Sequence, residues 1–186
     1  EVIDGGGGQD TVIFQGTAAN ETFLLTPTVA RMTRPGFIAS ATNVEIMTVI
    51  GNGGIDSAQL YDSVGDDLLE IQPNLARMSG PDYEHTVQDV DYVHGYASSG
   101  NDQAVLHATA GNDKLTATEK EVRLDAAGYI ARAKFFDSVR VVSDGSGTDT
   151  ATITGTTGDD TIQISPTLAT LVAAAFRIDV EKFDNV

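Results

Sequence analysis

The feature that most constrains this chain is a repeat of 46 or 47 residues. A Gly-x-Asp turn recurs at Asp10, Asp56, Asp102 and Asp149, which are spaced 46, 46 and 47 residues apart. A second acidic turn follows each of them after 11 residues, at Glu21, Asp67, Asp113 and Asp160. In repeats of this length, each unit buries its apolar face only against its neighbours. We therefore predict a single array of four units, at approximately 5–50, 51–96, 97–143, and 144–186 together with 1–4.

The two ends of the sequence also belong to the repeat. Residues 183–186 followed by residues 1–10 match residues 136–149 without a gap. We therefore expect either that the array continues beyond this segment or that its ends lie side by side. In both cases the expected partner is a copy of the chain, or adjacent repeats of the same chain, joined head to tail.

Each unit reads as a series of short strands. Runs of β-branched and aromatic residues at period two are separated by Gly, Asn, Asp and Pro, which is typical of strands between turns. In the first unit the runs are 10–14, 22–26, 29–32, 37–40 and 44–49. The pattern predicts an all-β protein.

Two all-β architectures fit such a repeat. The first is a β-solenoid, an array like a parallel β-helix in which strands of successive coils pair about 4.8 Å apart. The alternative is a four-bladed β-propeller with one repeat per blade. Turns at a fixed phase, and ends that fall inside a strand, favour the solenoid. Equivalent apolar residues should then stack in columns along the array, for example Phe23, Leu69, Leu115 and Ile162.

Charge restricts the partners of the array. The sequence holds 27 Asp and Glu against 11 Lys and Arg, for a net charge of −16. Because binding to phosphates needs clustered Lys and Arg, we expect no nucleic-acid partner. No apolar run approaches the roughly 18 residues of a membrane span, so we expect no membrane insertion. The chain has no cysteine, which excludes disulfides, thiolate metal ligands and a cysteine nucleophile.

Segments 44–56 and 147–162 resemble the Gly/Asp/Thr-rich tandem repeats of very large secreted bacterial surface proteins. These repeats are loosely similar to the RTX, or haemolysin-type, calcium-binding repeats. The resemblance implies a β-solenoid and a secreted adhesin, surface-layer or matrix component. This chain departs from the RTX pattern, which repeats Gly-Gly-x-Gly-x-Asp every nine residues. Its acidic turns are separated alternately by 11 and by 35 or 36 residues.

The acidic turns are the candidate metal site. Carboxylates and turn carbonyls are the ligands that Ca²⁺ prefers, so calcium is the candidate cofactor. The candidate ligands are Asp10, Asp56, Asp102, Asp149, Glu21, Asp67, Asp113 and Asp160. The alternative is that these side chains accept hydrogen bonds from turn N–H groups and need no metal. A third set of acids recurs at Glu45, Asp91, Asp137 and Asp184.

Two further columns have a functional and a packing interpretation. Arginines recur at Arg31, Arg77 and Arg123, and they suit either anionic glycans or pairing with neighbouring acids. Aromatic residues recur at Phe37, Tyr83, Tyr129 and Phe176, and they suit either sugar stacking or packing between strands. In both cases we favour the structural interpretation. His85, His94 and His107 occupy unrelated phases of the repeat, so we expect them at the surface and assign no catalytic residue.

The sequence therefore favours a structural function over a catalytic one. We expect a non-catalytic segment of an extracellular surface or filament protein, such as a surface layer, sheath, fibre or adhesin stalk. The alternatives are a carbohydrate-binding module and a β-helix enzyme that acts on polysaccharide. An enzyme needs a non-repeated cluster of acidic or basic side chains in a groove, and none is evident.

Overall fold

The computed structural model describes residues 1–186 and is a two-sheet β-solenoid of about five turns. It contains strands and no helix. The first half of the chain forms β1 (Val2–Asp4), β2 (Thr11–Gln15), β3 (Thr22–Thr26), β4 (Val29–Arg34), β5 (Phe37–Thr42), β6 (Ile46–Ile50), β7 (Ser57–Tyr61), β8 (Leu68–Gln72), β9 (Leu75–Gly80) and β10 (Tyr83–Gln88). The second half forms β11 (Tyr92–Tyr96), β12 (Gln103–His107), β13 (Lys114–Thr118), β14 (Glu121–Ala126), β15 (Tyr129–Lys134), β16 (Ser138–Val142), β17 (Thr150–Ile153), β18 (Thr161–Ser165), β19 (Leu168–Val172) and β20 (Arg177–Glu181).

The strands form two ten-stranded sheets that run the length of the molecule. Sheet A has the order β1-β5-β4-β3-β7-β11-β15-β14-β13-β17, and sheet B has the order β18-β19-β20-β16-β12-β8-β9-β10-β6-β2. Strands from neighbouring repeats pair in parallel, as Thr22 with Ser57 and Leu68 with Gln103. Both sheets are thus continuous across the four repeats, which confirms the solenoid and excludes the separate blades of a propeller.

Each repeat changes sheet an odd number of times, and this sets how the repeats stack. One repeat contributes five strands, three of which form an antiparallel meander within one sheet. The chain changes sheet before the meander, after it, and again at the start of the next repeat. Because there are three changes per repeat, the meanders alternate: β3–β5 lie in sheet A, β8–β10 in sheet B, β13–β15 in sheet A and β18–β20 in sheet B. The predicted columns are therefore wrong in one respect. Phe23 and Leu69 are equivalent in sequence but lie on opposite sheets.

A single core fills the space between the sheets. Alternate residues of most strands point inward, and 42 buried hydrophobic residues form one cluster. The alternation fails at β18, where all five residues are exposed. No helix in the structure meets the length and hydropathy that a membrane crossing requires.

Candidate functional site: the acidic ladders

The acidic residues lie just before strands and line up in rows, which we call the acidic ladders. Each complete ladder takes one acid from each of the three sets found in the sequence, at steps of 35 or 36 residues. The ladders are Glu21-Asp56-Asp91 and Asp113-Asp149-Asp184 at sheet A, and Asp67-Asp102-Asp137 at sheet B, with a two-membered ladder Asp10-Glu45 also at sheet B.

Hydrogen bonds from the backbone hold each ladder together. The N–H of Glu21 donates to Oδ1 of Asp56 at 2.7 Å, and the N–H of Asp56 donates to Oδ2 of Asp91 at 2.7 Å. The same bonds recur from Asp67 to Asp102 (2.9 Å), Asp102 to Asp137 (2.8 Å), Asp113 to Asp149 (2.9 Å), Asp149 to Asp184 (2.7 Å) and Asp10 to Glu45 (3.0 Å). Each carboxylate thus caps a turn one coil away.

The acids of the second set also close their own turns. The N–H and the hydroxyl of Thr17 both donate to Glu21, at 3.0 and 2.7 Å. The hydroxyl of Thr17 in turn accepts the N–H of Ala19 at 3.1 Å. The same arrangement joins Ser63 to Asp67, Thr109 to Asp113 and Thr156 to Asp160. The acidic side chains therefore accept hydrogen bonds from turn N–H groups, as the capping interpretation predicts.

The eight predicted calcium ligands are only partly brought together. Three pairs meet, one from each complete ladder: Glu21 with Asp56, Asp67 with Asp102, and Asp113 with Asp149. Asp10 and Asp160 lie at opposite ends of the array and meet no member of the other set. Calcium binding stays a prediction.

Burial raises the pKa of two ladder carboxylates, Asp56 and Asp102. Asp56, Asp102 and Asp149 are almost completely buried. Burial and the neighbouring carboxylates Glu21 and Asp91 raise the pKa of Asp56, although the N–H of Glu21 opposes this. Burial, with the nearby acids Asp62 and Asp67, raises the pKa of Asp102 to about 6. One oxygen of Asp56 and one of Asp149 are buried without a hydrogen-bond partner.

Asp62 breaks the symmetry of the ladders. The other repeats have Gly16, Ala108 and Gly155 at this position. Asp62 accepts hydrogen bonds from the N–H and the hydroxyl of Ser98, at 2.5 and 2.9 Å. One carboxylate oxygen from each of Asp62, Asp67 and Asp102 lies within 4.8 Å of the others, a spacing that could hold a metal ion. Sequence reasoning missed Asp62, although an acid among small residues at one repeat position is a visible signal.

The side chains of the aromatic column pack in or against the core and do not form an exposed surface for sugar stacking. Tyr83, Tyr129 and Phe176 are buried, and Phe37 packs partly buried against the core, as the packing interpretation predicts. The hydroxyl of Tyr83 donates to Asp67 at 2.8 Å. Burial and this carboxylate raise the pKa of Tyr83.

The arginine column is paired at only one of its members. Arg123 donates to Asp125 at 2.9 Å, whereas Arg31 and Arg77 form no ion pair. The pairing interpretation therefore holds for Arg123 alone.

The prediction of a surface position is wrong for His85. Its side chain lies in the core with both ring nitrogens unpartnered, at a position where other repeats have Ala39, Ala131 and Ile178. Burial lowers the pKa of His85 to about 4, partly offset by the backbone of Thr26. The histidine is therefore neutral in the folded protein at physiological pH.

A second group outside the repeat columns lies on the outer face of sheet A. The rings of Tyr61 and Tyr96 stack with centroids 4.8 Å apart, and Nζ of Lys134 lies 5.7 Å from the centroid of Tyr96. Arg132 and Lys134 both pair with Glu121, at 2.5 and 3.2 Å. No sequence column predicts this group, because the equivalents of Tyr61 are Gln15, His107 and Thr154.

No protein-family model matches the chain, and no curated protein matches it significantly.

Proposed function

We propose that this chain is a non-catalytic structural segment of an extracellular bacterial surface or filament protein. A surface layer, sheath, fibre or adhesin stalk is the kind of assembly it suits. The observation that carries the proposal is the use made of the acidic side chains. Acidic side chains are the groups that a catalytic or metal site would use. In every repeat, acidic side chains here accept hydrogen bonds from backbone N–H groups of the neighbouring coil.

The ladders suit a load-bearing array because they act between coils. A hydrogen bond to a charged acceptor contributes about 1.5–3 kcal/mol, and each complete ladder supplies two such bonds across coils. In repeat proteins the stability is approximately a sum of terms within repeats and between neighbours. Because the same hydrogen bonds recur at every junction between coils, further repeats can be added to the array with the same contacts.

Localisation tests the proposal directly. Antibodies against this chain, used for immunogold labelling of intact producing cells, should label the cell surface or the extracellular material. Labelling confined to the cell interior would contradict the proposal.

Calcium is a separate part of the proposal, with a separate test. The group Asp62, Asp67 and Asp102 gathers carboxylate oxygens closely enough for an ion, while the capping bonds do not need one. We expect the chain to fold in chelator and to gain a few degrees in Tm on saturation with Ca²⁺, since a ligand of the native state stabilises it. Asp62→Asn should abolish the gain, and Asp66→Asn should preserve it. An unchanged Tm in wild type would remove calcium from the proposal.

A carbohydrate-binding function is the second candidate, and the group on the outer face of sheet A favours it. Tyr61, Tyr96, Arg132 and Lys134 combine aromatic rings with cations, a combination that suits anionic sugars. On a glycan array, wild type should bind acidic oligosaccharides and the Lys134→Gln variant should bind them less. Thr152→Gln, further along the same face, is the control. Absence of binding by wild type would leave only the structural function.

A further inference from the structure

We propose that a second copy of this chain docks its first repeat onto the last repeat of the first copy, through surfaces made by β18 and its preceding turn at one end and β2 and its preceding turn at the other. The proposal rests on the structural function above and specifies its partner and contacts. The evidence is that each end carries one half of a junction that the interior of the array shows complete.

The first half-junction is apolar. Ile162 and Ile164 in β18 are 61% and 68% exposed. Their equivalents in β3, β8 and β13 are Phe23 and Leu25, Leu69 and Ile71, and Leu115 and Ala117, all of them buried. At the opposite end Ile3 is 52% exposed, although its strand partner Ala41 faces the core. Burying these side chains between two copies is favourable, because it removes apolar surface from water.

The second half-junction consists of hydrogen-bonding groups. At interior junctions the residue before each first-turn Asp donates its N–H to the second turn of the preceding repeat. These bonds run from Ile55 to Asn20 (2.9 Å), Asn101 to Asp66 (2.9 Å) and Thr148 to Asn112 (2.8 Å). The corresponding groups at the ends are the N–H of Gln9 and the carboxylate of Asp159. The ladder bond is split in the same way, between the N–H of Asp160 and the carboxylate of Asp10.

A glycine supplies the third half-junction. Gly54, Gly100 and Gly147 have positive φ, and a Cβ on them would overlap the carbonyl oxygens of Ala19, Gly65 and Gly111 respectively. Gly8 has the same kind of backbone, with φ of 126°, but no atom lies within 4 Å of its Cβ position. The carbonyl equivalent to those of Ala19, Gly65 and Gly111 is that of Gly158. Gly8 thus keeps the conformation of a contact that a second copy would complete.

The sheets also match in order. β18 and β2 are the two end strands of sheet B, and β1 and β17 are those of sheet A. Each end strand of sheet B is paired on one side only, β18 with β19 and β2 with β6. A strand edge of this kind is a template for pairing with another chain. Four repeats of five strands return the chain to its starting sheet, so both sheets continue into the second copy.

One position in sheet A must adjust. Asn185 bridges to Thr150, as Ser138 pairs with Gln103. Gly5 donates to Thr42 as Ser143 does to Glu181. Five positions separate Ser138 from Ser143, whereas six residues lead from Asn185 through Val186 to Gly5 of a second copy. The strand formed jointly by the end of one copy and the start of the next therefore has one residue too many. Either Val186 or Glu1 must lie outside that strand.

Sedimentation velocity over a concentration series tests the docking. Wild type should form rods in multiples of the 19.5 kDa chain. The double variant Ile162→Asp/Ile164→Asp should weaken association at least about a hundredfold, since two apolar side chains would no longer be buried. Both residues are exposed in the single chain, so its circular dichroism should be unchanged. The control is Val64→Asp, an exposed residue (85%) in a turn of the second repeat, away from both end strands, which should associate like wild type.

A second pair of variants tests the turn. Gly8→Val should also weaken association, because its side chain would meet the carbonyl of Gly158. Gly7→Val should not, because Gly53, its equivalent at a complete interior junction, has no atom within 4 Å of its Cβ position. A chain that stays monomeric at every concentration would overturn the docking, and so would association that Val64→Asp abolishes but Ile162→Asp/Ile164→Asp does not. Neither result would affect the immunogold test of the structural function.

Discussion

The first and second repeats have the same backbone arrangement, but different side chains surround the equivalent ladder acid in each. In the first, the ladder acid Glu21 has a cation nearby, Arg34, whose Nε lies 3.8 Å from Oε1 and whose guanidinium lies over Phe37. In the second, the equivalent acid Asp67 accepts a hydrogen bond from the hydroxyl of Tyr83, and Tyr83 occupies the position of Phe37 in the repeat. The second repeat also holds an additional acid and a buried histidine. The backbone capping is thus fixed, while the charge around each ladder varies from repeat to repeat.

Two groups with pKa values of about 4 and about 6 lie in the second repeat and at its junction with the third. The pKa of His85 is lowered to about 4, whereas the pKa of Asp102 is raised to about 6. The first repeat has Ala39 and Gly16 where the second has His85 and Asp62. Substitutions that make the second repeat resemble its sisters should therefore have larger effects than changes in the first.

The largest expected effect is at His85. The unfolded histidine titrates near pH 6.5 and the folded one near pH 4, so the unfolded state takes up the proton first. Stability should therefore fall as the pH drops from 6.5 to 4, by about 3 kcal/mol. His85→Ile, which introduces the residue found at Ile178, should remove this loss. Urea unfolding at pH 7 and pH 4 measures it, and an equal loss in both proteins would refute the assignment to His85.

The next effect is at Tyr83. Tyr83→Phe recreates the side chain of the first repeat without supplying its arginine, and should cost about 2 kcal/mol because a hydrogen bond to a buried carboxylate is lost. The matched control is Tyr129→Phe, where the hydroxyl donates to the carbonyl of His107 instead. That loss should be about 1 kcal/mol at pH 7. Equal losses in denaturant unfolding would show that the charge of Asp67 is irrelevant.

A smaller effect is expected at Asp62. Asp62→Asn should lower the pKa of Asp102, because one nearby negative charge is removed. A raised carboxyl pKa means that stability declines as the pH rises from about 4 to about 6, and this decline should become shallower. Carbon-detected NMR titration of the Asp102 carboxyl gives the pKa directly. The exposed neighbour Asp66→Asn is the control, and a similar shift there would point to a general charge effect.

The smallest effect is expected at Arg34 in the first repeat. Its ion pair with Glu21 is long, and its side chain is partly exposed, so Arg34→Gln should cost less than about 1 kcal/mol. Thermal unfolding at low salt should show the difference best, since salt screens such pairs. A loss larger than that of Tyr83→Phe would reverse the comparison between the repeats.

The sequence predicts the architecture well because the 46- or 47-residue period directly indicates an array of stacked repeats. Strands and turns follow from spacing and alternation, which favour the solenoid but also fit a propeller. The pairing within the ladders does not follow from them, because it depends on how often the chain changes sheet in each repeat. The strands can be predicted from the sequence. The sheet to which each strand belongs cannot, because it is decided by crossovers that leave no pattern in composition.

The individual side chains outside the repeat were harder to predict. His85 follows the inward phase of β10, yet a lone polar residue in a strand is more often placed outside. Asp62 and the pair Tyr61 and Tyr96 are unique to single repeats, so a search for shared columns passes over them. In an array whose shared residues cap turns and fill the core, such exceptions are the natural places to look for specific chemistry.

The odd number of sheet changes in each repeat also has a consequence for how such an array changes length. Gain or loss of a single repeat would move every later meander to the opposite sheet, and a surface such as that of Tyr61 and Tyr96 would turn to the other side of the molecule. Gain or loss of two repeats keeps every later surface facing the same way. The unit in which this architecture can lengthen or shorten while preserving its faces is therefore the pair of repeats.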